Sequence, residues 1–277
     1  MIDNPVLRVM LQRKSIRRYT EQMPSNEVVT AIARAGQQAP FAGQFGSVLL
    51  SRKREKNPFH APLLFTICAD IKRMERIMEL RNWHFVTNDL LALIFGFQDS
   101  AYMAENMVIA AESLGLGSCF LGNAPYIADK IADEYNLPDR IFPLVQLTMG
   151  YPAEDPPVRP RYPIDFTLFE DTYPALDEET VRAAMKEMDD GYIGQEYYAR
   201  ANHKIPLQEG REETFTFENY GWTEHMCRKW GQWFPDLSEL LKQFEKRGFH
   251  LNRDRFDRDR LDSNRLDSNR SSETKGE

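Results

Sequence analysis

Three observations predict an α+β fold. Short apolar runs at 47–50, 63–69 and 144–149 have the length of strands and sit among amphipathic helical segments, without strict strand–helix alternation. Helix starts carry capping residues, and helix ends meet glycine or proline. The chain has 277 residues, 42% of them hydrophobic and 28% charged, enough for one large or two modest domains with a real core.

Taken in order, Pro24-Ser25-Asn26-Glu27 opens a helix: Ser25 or Asn26 caps it, and Glu27 suits the positive end of its dipole. Val28, Val29, Ile32 and Ala35 continue it towards Gly36 and Pro40. A short strand follows at 47–50. The run 63–69 is nearly all apolar and too short for a typical helix, so it reads as a buried strand. A helix is expected from near Asp99, because Met103, Met107, Ala110, Ala111 and Leu114 recur at three- and four-residue spacing. Gly115 stops it as a left-handed cap, and Phe120 and Leu121 begin a short strand. Pro125 starts a further helix with Ile127, Ile131 and Tyr135 on one face, closed by Asn136-Leu137-Pro138. The strand 144–149 ends at Gly150-Tyr151-Pro152.

The Pro- and Arg-rich stretch 155–161 then leaves as an extended arm, with 164–168 as a strand candidate. Asp177 caps a helix through Val181, Met185 and Met188. Trp222, Met226, Trp230 and Trp233 form an apolar stripe over 222–234 that reads as core, and 237–249 is another amphipathic helix. From Asn252 the chain is Arg, Asp, Asn and Ser. Its tandem copy, Leu261-Asp262-Ser263-Asn264-Arg265 and Leu266-Asp267-Ser268-Asn269-Arg270, lacks apolar mass to bury and is expected to be disordered. The chain thus divides into a domain at 1–175, a helical extension at 176–250 and a tail at 251–277.

A net charge of −7 does not favour nucleic acid or an anionic membrane surface as a partner. No apolar run spans a bilayer, and Ile2-Asp3-Asn4-Pro5 does not read as a signal peptide. The three cysteines, Cys68, Cys119 and Cys227, lie far apart, which argues against a disulfide framework and suits a reducing cytoplasm.

Chemistry first shows at Arg13-Lys14-Ser15-Ile16-Arg17. Three cations and a hydroxyl within five residues can hold a phosphate by charge-assisted hydrogen bonds, although a solvated patch is the plainer reading of such a run alone. Pro40 and Gly43 read alone as a turn, and Arg159 and Arg161 as linker cations. Cys119 sits among apolar residues and reads as packing. His225 and Cys227 point to different helix faces, so no metal site is expected.

Four segments together resemble the nitroreductase family. Arg13-Lys14-Ser15-Ile16-Arg17 resembles its N-terminal basic signature, and Ala39-Pro40-Phe41-Ala42-Gly43-Gln44 its Ala-Pro-Ser-x-Gly-Asn segment. Ala111-Glu112-Ser113-Leu114-Gly115-Leu116-Gly117-Ser118 is similar to its Ala-Leu-Gly-Leu-Gly-Ser motif. Gly150-Tyr151-Pro152-Ala153-Glu154, with Arg159 and Arg161, is similar to its Gly-Tyr-Pro-x-Glu ending. The motifs stand in family order over about the first 165 residues.

The resemblance implies a three-layer sandwich with a mixed central sheet flanked by helices, in a domain-swapped homodimer whose arm crosses to the partner. It implies FMN as cofactor, with NADH or NADPH as electron donor. Arg13, Lys14, Ser15, Arg17 and Arg161 are then phosphate ligands and Arg159 a further cofactor-binding residue, while Pro40, Phe41, Gly43, Gln44, Gly117 and Ser118 lie against the flavin. The reaction implied is ping-pong hydride transfer through flavin N5 to a small organic acceptor such as a nitroaromatic, quinone or enone, with no general base in the protein. Dehalogenation, azoline oxidation, flavin breakdown and flavin binding without turnover remain alternatives. Phe41 replaces the family's Ser and Gln44 its Asn, which changes the donors available at the flavin edge. Substrate selection is expected in 73–93, around Trp83, His84 and Phe85.

Overall fold

A computed structural model describes residues 2–208, 210–232 and 237–251. The tail expectation falls, from 252 on, outside the described residues, as do Trp233 and Phe234. The chain forms two compact units, each built from separated stretches: unit 1 is Met1–Arg17 with Pro152–Leu237, and unit 2 is Arg18–Tyr151 with Ser238–Glu277.

Unit 2 holds the sheet. Its strands are β1 (Gly46–Ser51), β2 (Leu63–Asp70), β3 (Gly117–Leu121) and β4 (Ile141–Gly150), in the order β1-β2-β4-β3. Every pairing is antiparallel: Leu49 faces Thr66, Phe65 faces Leu147 and Cys119 faces Thr148. The α+β class therefore holds, but the sheet formed by the described residues is antiparallel rather than mixed. Each strand here runs back along its neighbour, and no parallel crossover is made.

The apolar runs became strands because both faces are covered. Leu63, Phe65, Ile67, Leu147 and Met149 point to one face, where they pack on Met107, Val108 and Ala111. The opposite face buries Thr66, Gln146 and Thr148, paired among themselves and with Tyr19: the Gln146 amide donates to Thr66 at 2.9 Å, and Tyr19 meets Thr148 Oγ1 at 2.8 Å. Each fully buried aliphatic side chain on the first face stabilises the unit by about 1.5–3 kcal/mol.

The helices of this unit are α2 (Asn26–Gln37), α3 (Ile71–Leu80), α4 (Asp89–Ser113) and α5 (Ala128–Tyr135), with α9 (Leu237–Lys246) returning late in the chain. Ser25 caps α2 by accepting from Val28 N–H at 3.3 Å. The long helix α4 packs on all four strands, and α2 packs on α4. It starts ten residues earlier than Asp99, where Asn88 accepts from the amides of Leu90 and Leu91. Its end is as expected, with Gly115 at φ 81. Asn136 closes α5 at φ 50. Phe244 of α9 stacks on Phe142 at 4.2 Å, and Arg247 donates to the carbonyls of Leu137, Pro138 and Ile141.

Unit 1 contains α1 (Pro5–Gln12), α6 (Glu178–Gly194), α7 (Tyr197–Arg200) and α8 (Trp222–Gln232). Asp177 caps α6 through Thr180 N–H at 2.8 Å. The strand candidate at 164–168 is a correction: Ile164–Phe166 is a 3-10 turn, with Ile164 and Leu168 exposed and no neighbouring strand to pair with among the described residues. The core is aromatic, built from Met188, Tyr192, Tyr198 and Tyr220 with Tyr162, Tyr197, Phe215, Phe217 and Trp222 around them. The tryptophan stripe divides there. Trp222 packs edge-on to Tyr162, whereas Trp230 is 72% exposed and is not core. Arg228, 3% exposed, closes the unit by a bidentate pair with Glu213, a bond to Glu224 and another to the Ile205 carbonyl. No helix among the described residues is long and apolar enough to cross a membrane.

Candidate functional site

In unit 2 the segment 39–45 enters edge strand β1 and carries Pro40, Phe41, Gly43 and Gln44. Its backbone is set by Asp99, a carboxylate on α4 that is 3% exposed. One oxygen accepts the Ala42 N–H at 2.6 Å, and the other accepts those of Gly43 and Phe45 at 3.0 Å each. A charged acceptor for three orphan donors fixes a loop that has no ladder of its own. Arg73 of α3 secures the far side, donating to the carbonyls of Gln44 and, at 2.9 Å, Gly46. Gln44 itself sits at φ 51. A Cβ on Gly43 would clash with the Phe45 ring, so glycine here makes room for that ring.

Pro40, Phe41 and Gln44 line a cleft of about 630 Å³, with Arg34 and Gln37 of α2, Ser47 of β1 and Arg73 beside them. Phe41 is 56% exposed. Cys68 also reaches this cleft. Burial first, and then the Asp70 charge, push its thiol up to about 12, so it is not a thiolate nucleophile. Gly117 and Ser118 lie elsewhere in unit 2, at the start of β3. Gly117 pairs with Gly150, and Ser118 is fully buried with its hydroxyl 3.5 Å from Glu112.

The cations belong to unit 1, which brings together the basic run and the arm, 141 residues apart at Lys14 and Asp155. Lys14 forms an ion pair with Asp155, and the Arg17 N–H donates to Glu154 at 2.5 Å. Arg159 donates to the Gln195 amide oxygen at 2.6 Å, and its guanidinium lies 4.2 Å from the centre of the Tyr197 ring. Arg161 donates to the carbonyls of Arg159 and Pro160 at 3.0 Å each. Arg13 and Ser15 are half-buried, and Arg17 and Arg161 are exposed.

Sequence reading missed Asp99, Arg73, Gln195 and Tyr197 as site residues. Asp99 carries a signal, since an acid in the middle of an apolar helix needs partners, but in the sequence it is equally suited to a helix start. His84 is exposed, at the end of a segment where Leu80 and Trp83 are exposed too. No group of acidic, histidine or cysteine side chains suited to a metal ion occurs among the described residues.

The chain has clear relatives. Residues 48–151 match the family described as the Nitroreductase family. An FMN reductase (NADPH) of Bacillus subtilis (strain 168) is 28% identical over 265 residues, covering 90% of this chain and 100% of that protein. A CR(VI) reductase of Pseudomonas sp. (strain G-1) is 33% identical over 128 residues, 46% of this chain and 53% of that one, so this match spans about half of the relative. The solved structure of NfrA1 nitroreductase from B. subtilis matches with a TM-score of 0.73 at 26% identity, over 89% of this chain and 100% of that one. The matched span holds the whole sheet except the first two residues of β1, the basic run and the arm flank it, and the near full-length matches carry the likeness past both, so the chain is similar to nitroreductase-family proteins along most of its length.

Proposed function

We propose that the chain is an FMN-dependent oxidoreductase that draws electrons from NADH or NADPH and delivers them to a small organic acceptor. One observation carries the reading: the basic run, remote in sequence from the arm, is tied to it at Glu154 and Asp155, and Arg159 and Arg161 belong to the same unit. A dianionic phosphate needs such a donor set of guanidinium, ammonium, hydroxyl and backbone groups, and Arg13, Lys14, Ser15, Arg17, Arg159 and Arg161 supply it.

Pro40, Phe41, Gly43 and Gln44 are the proposed ring contacts, with Gly117 and Ser118 as backbone donors. FMN, when bound, supplies the hydride chemistry at N5. The protein's part is to orient the cofactor and to place backbone donors against its charge. The neutral thiol of Cys68 takes no covalent part.

A homodimer is part of this proposal. Leu90, Leu91, Ile94, Phe95 and Tyr102 form an exposed apolar stripe along α4, and a second copy is its natural cover. The division at 175 and 250 and a cytoplasmic setting belong to the same reading.

The test is the visible spectrum of the purified chain with FMN, recorded anaerobically before and after NADH or NADPH. Bleaching, followed by recovery with a nitroaromatic, quinone or enone and parallel double-reciprocal lines, is the expected result. Tight FMN that neither nucleotide bleaches would leave a binding protein. Recovery by none of these acceptors would point to the family's other flavin chemistries.

A further inference from the structure

We propose that the C-terminal helical region aims the cationic arm, with Gln195 and Tyr197 as positioning residues for Arg159 and, through it, Arg161. This rests on the phosphate reading of the arm given above.

The arm has a problem to solve. It is extended and proline-rich, with no strand to pair with among the described residues, and its arginines are long. Holding an arginine in one rotamer costs up to about 2 kcal/mol of side-chain entropy. Three consecutive arm residues are each gripped by the end of α6 and the start of α7. The Gln195 amide donates to the Val158 carbonyl at 2.8 Å and accepts from Arg159 at 2.6 Å. With a carbonyl on one side and a guanidinium on the other, its orientation is fixed by its partners. The Tyr197 ring covers one face of the same guanidinium. Pro160 lies so close on Gly191 that a Cβ there would stand 2.5 Å from the proline ring.

The platform is itself fixed. Tyr197 packs edge-on against Tyr192 at 5.3 Å and Tyr198 at 5.0 Å, both buried. Arg161 bonds to the carbonyls of Arg159 and Pro160, so its direction follows from the two residues already held.

The chemistry of the grip matters as much as its geometry. Gln195 and Tyr197 are neutral, and neither cancels the Arg159 charge. They occupy one nitrogen and one face of the guanidinium, which leaves its other two nitrogens to donate to an anion. A carboxylate in place of Gln195 could still accept from Arg159, but it would lose the donor to the Val158 carbonyl and would spoil the arginine for phosphate.

Riboflavin is the informative probe, because it has the ring of FMN and lacks the phosphate. Dissociation constants for both flavins are measured by flavin fluorescence on full-length wild type, Arg159→Ala, Gln195→Ala, Tyr197→Leu and Tyr197→Phe. Gln195→Ala and Tyr197→Leu are expected to weaken FMN about tenfold, leaving riboflavin within about twofold, and Tyr197→Phe to restore FMN. Equal weakening of both flavins would overturn the proposal in favour of a merely structural role. Normal FMN affinity in both Gln195→Ala and Tyr197→Leu, with Arg159→Ala impaired, would also overturn it. If Arg159→Ala leaves the ratio of the two flavins unchanged, or the wild type takes no FMN, the phosphate reading itself falls.

Discussion

The loop at 41–45 and the arm at 158–161 are both irregular backbone held in one conformation, and they are held by opposite means. In the loop a buried, charged Asp99 gathers three backbone N–H groups. In the arm a neutral amide and a tyrosine ring take a carbonyl, a guanidinium edge and a guanidinium face. The difference follows from what each segment carries. Residues 41–45 have no charged side chain, so a carboxylate beneath them neutralises nothing needed elsewhere. The arm carries two arginines, and a carboxylate on Arg159 would consume the charge that makes it useful.

The sharpest way to break this comparison is Asp99→Asn. An amide brings its own donors into a site that already holds three, so at least one bond is lost and a donor faces a donor. The expected cost is about 2–4 kcal/mol in urea unfolding, with faster hydrogen exchange at Ala42, Gly43 and Phe45. A variant as stable as wild type, with those three amides still protected, would show that the carboxylate does not hold the loop. Gln195→Ala should cost far less, since the Val158 carbonyl and the Arg159 guanidinium can turn to water.

These two anchors also mark where sequence reading stops. The strands were legible because 63–69 is apolar on nearly every position, 144–149 is short and apolar except at Gln146 and Thr148, and both are covered on both faces. The end of α4 was legible because Gly115 accepts a left-handed conformation. Its start was not. Residues 90–97 are apolar almost all round, so no period marks them as helix, and Asp99 looks like a cap until its partners 54 to 57 residues away are known. The basic run and the arm were legible as motifs. Gln195 was not, because a glutamine 36 residues beyond Arg159 gives no local sign of what it touches. The strand reading at 164–168 failed because an apolar alternation needs a neighbouring strand to become one.

A second test sharpens the comparison through pH. The arm's platform includes Tyr198, on which His225 stacks at 4.6 Å. His225 Nδ1 lies 3.1 Å from the Tyr220 hydroxyl, which accepts from the Ile205 N–H, so the phenol donates to a neutral ring. Burial first, then the positive charges of His203, Lys229 and Arg228, lower the His225 pKa from 6.5 to about 4. The unfolded chain takes up this proton below pH 6.5, whereas the folded chain resists it down to about 4. Stability is therefore full above 6.5 and falls as pH drops through that interval. Glu213, held near 2 by its hydrogen bonds to Arg228, adds to the loss only below about 4.5. Thermal melts between pH 7.5 and 5 should show a slope that His225→Gln flattens. An unchanged slope in that variant would remove His225 from the account.

The smallest effect on stability comes with a gain in binding. Lys14 pairs with Asp155, whose side chain is 88% exposed. An ion pair so open to water contributes between about 0 and 1 kcal/mol, and the Arg17 N–H bond to Glu154 still joins the basic run to the arm. Asp155→Asn should therefore shift unfolding by about 0.5 kcal/mol or less. It also uncovers the Lys14 ammonium, a cation of the proposed phosphate set that the fold pairs with a carboxylate, whereas Arg159 has neutral partners. FMN affinity is expected to rise about threefold at low salt, with riboflavin unchanged. The gain should fade above about 0.1 M salt, as screening reaches about 10 Å. Unaltered FMN binding at low salt would remove Lys14 from the phosphate set and leave its pairing with Asp155 as a tether alone. A gain that is equal for riboflavin would mean that the ammonium acts on the ring and not on the phosphate.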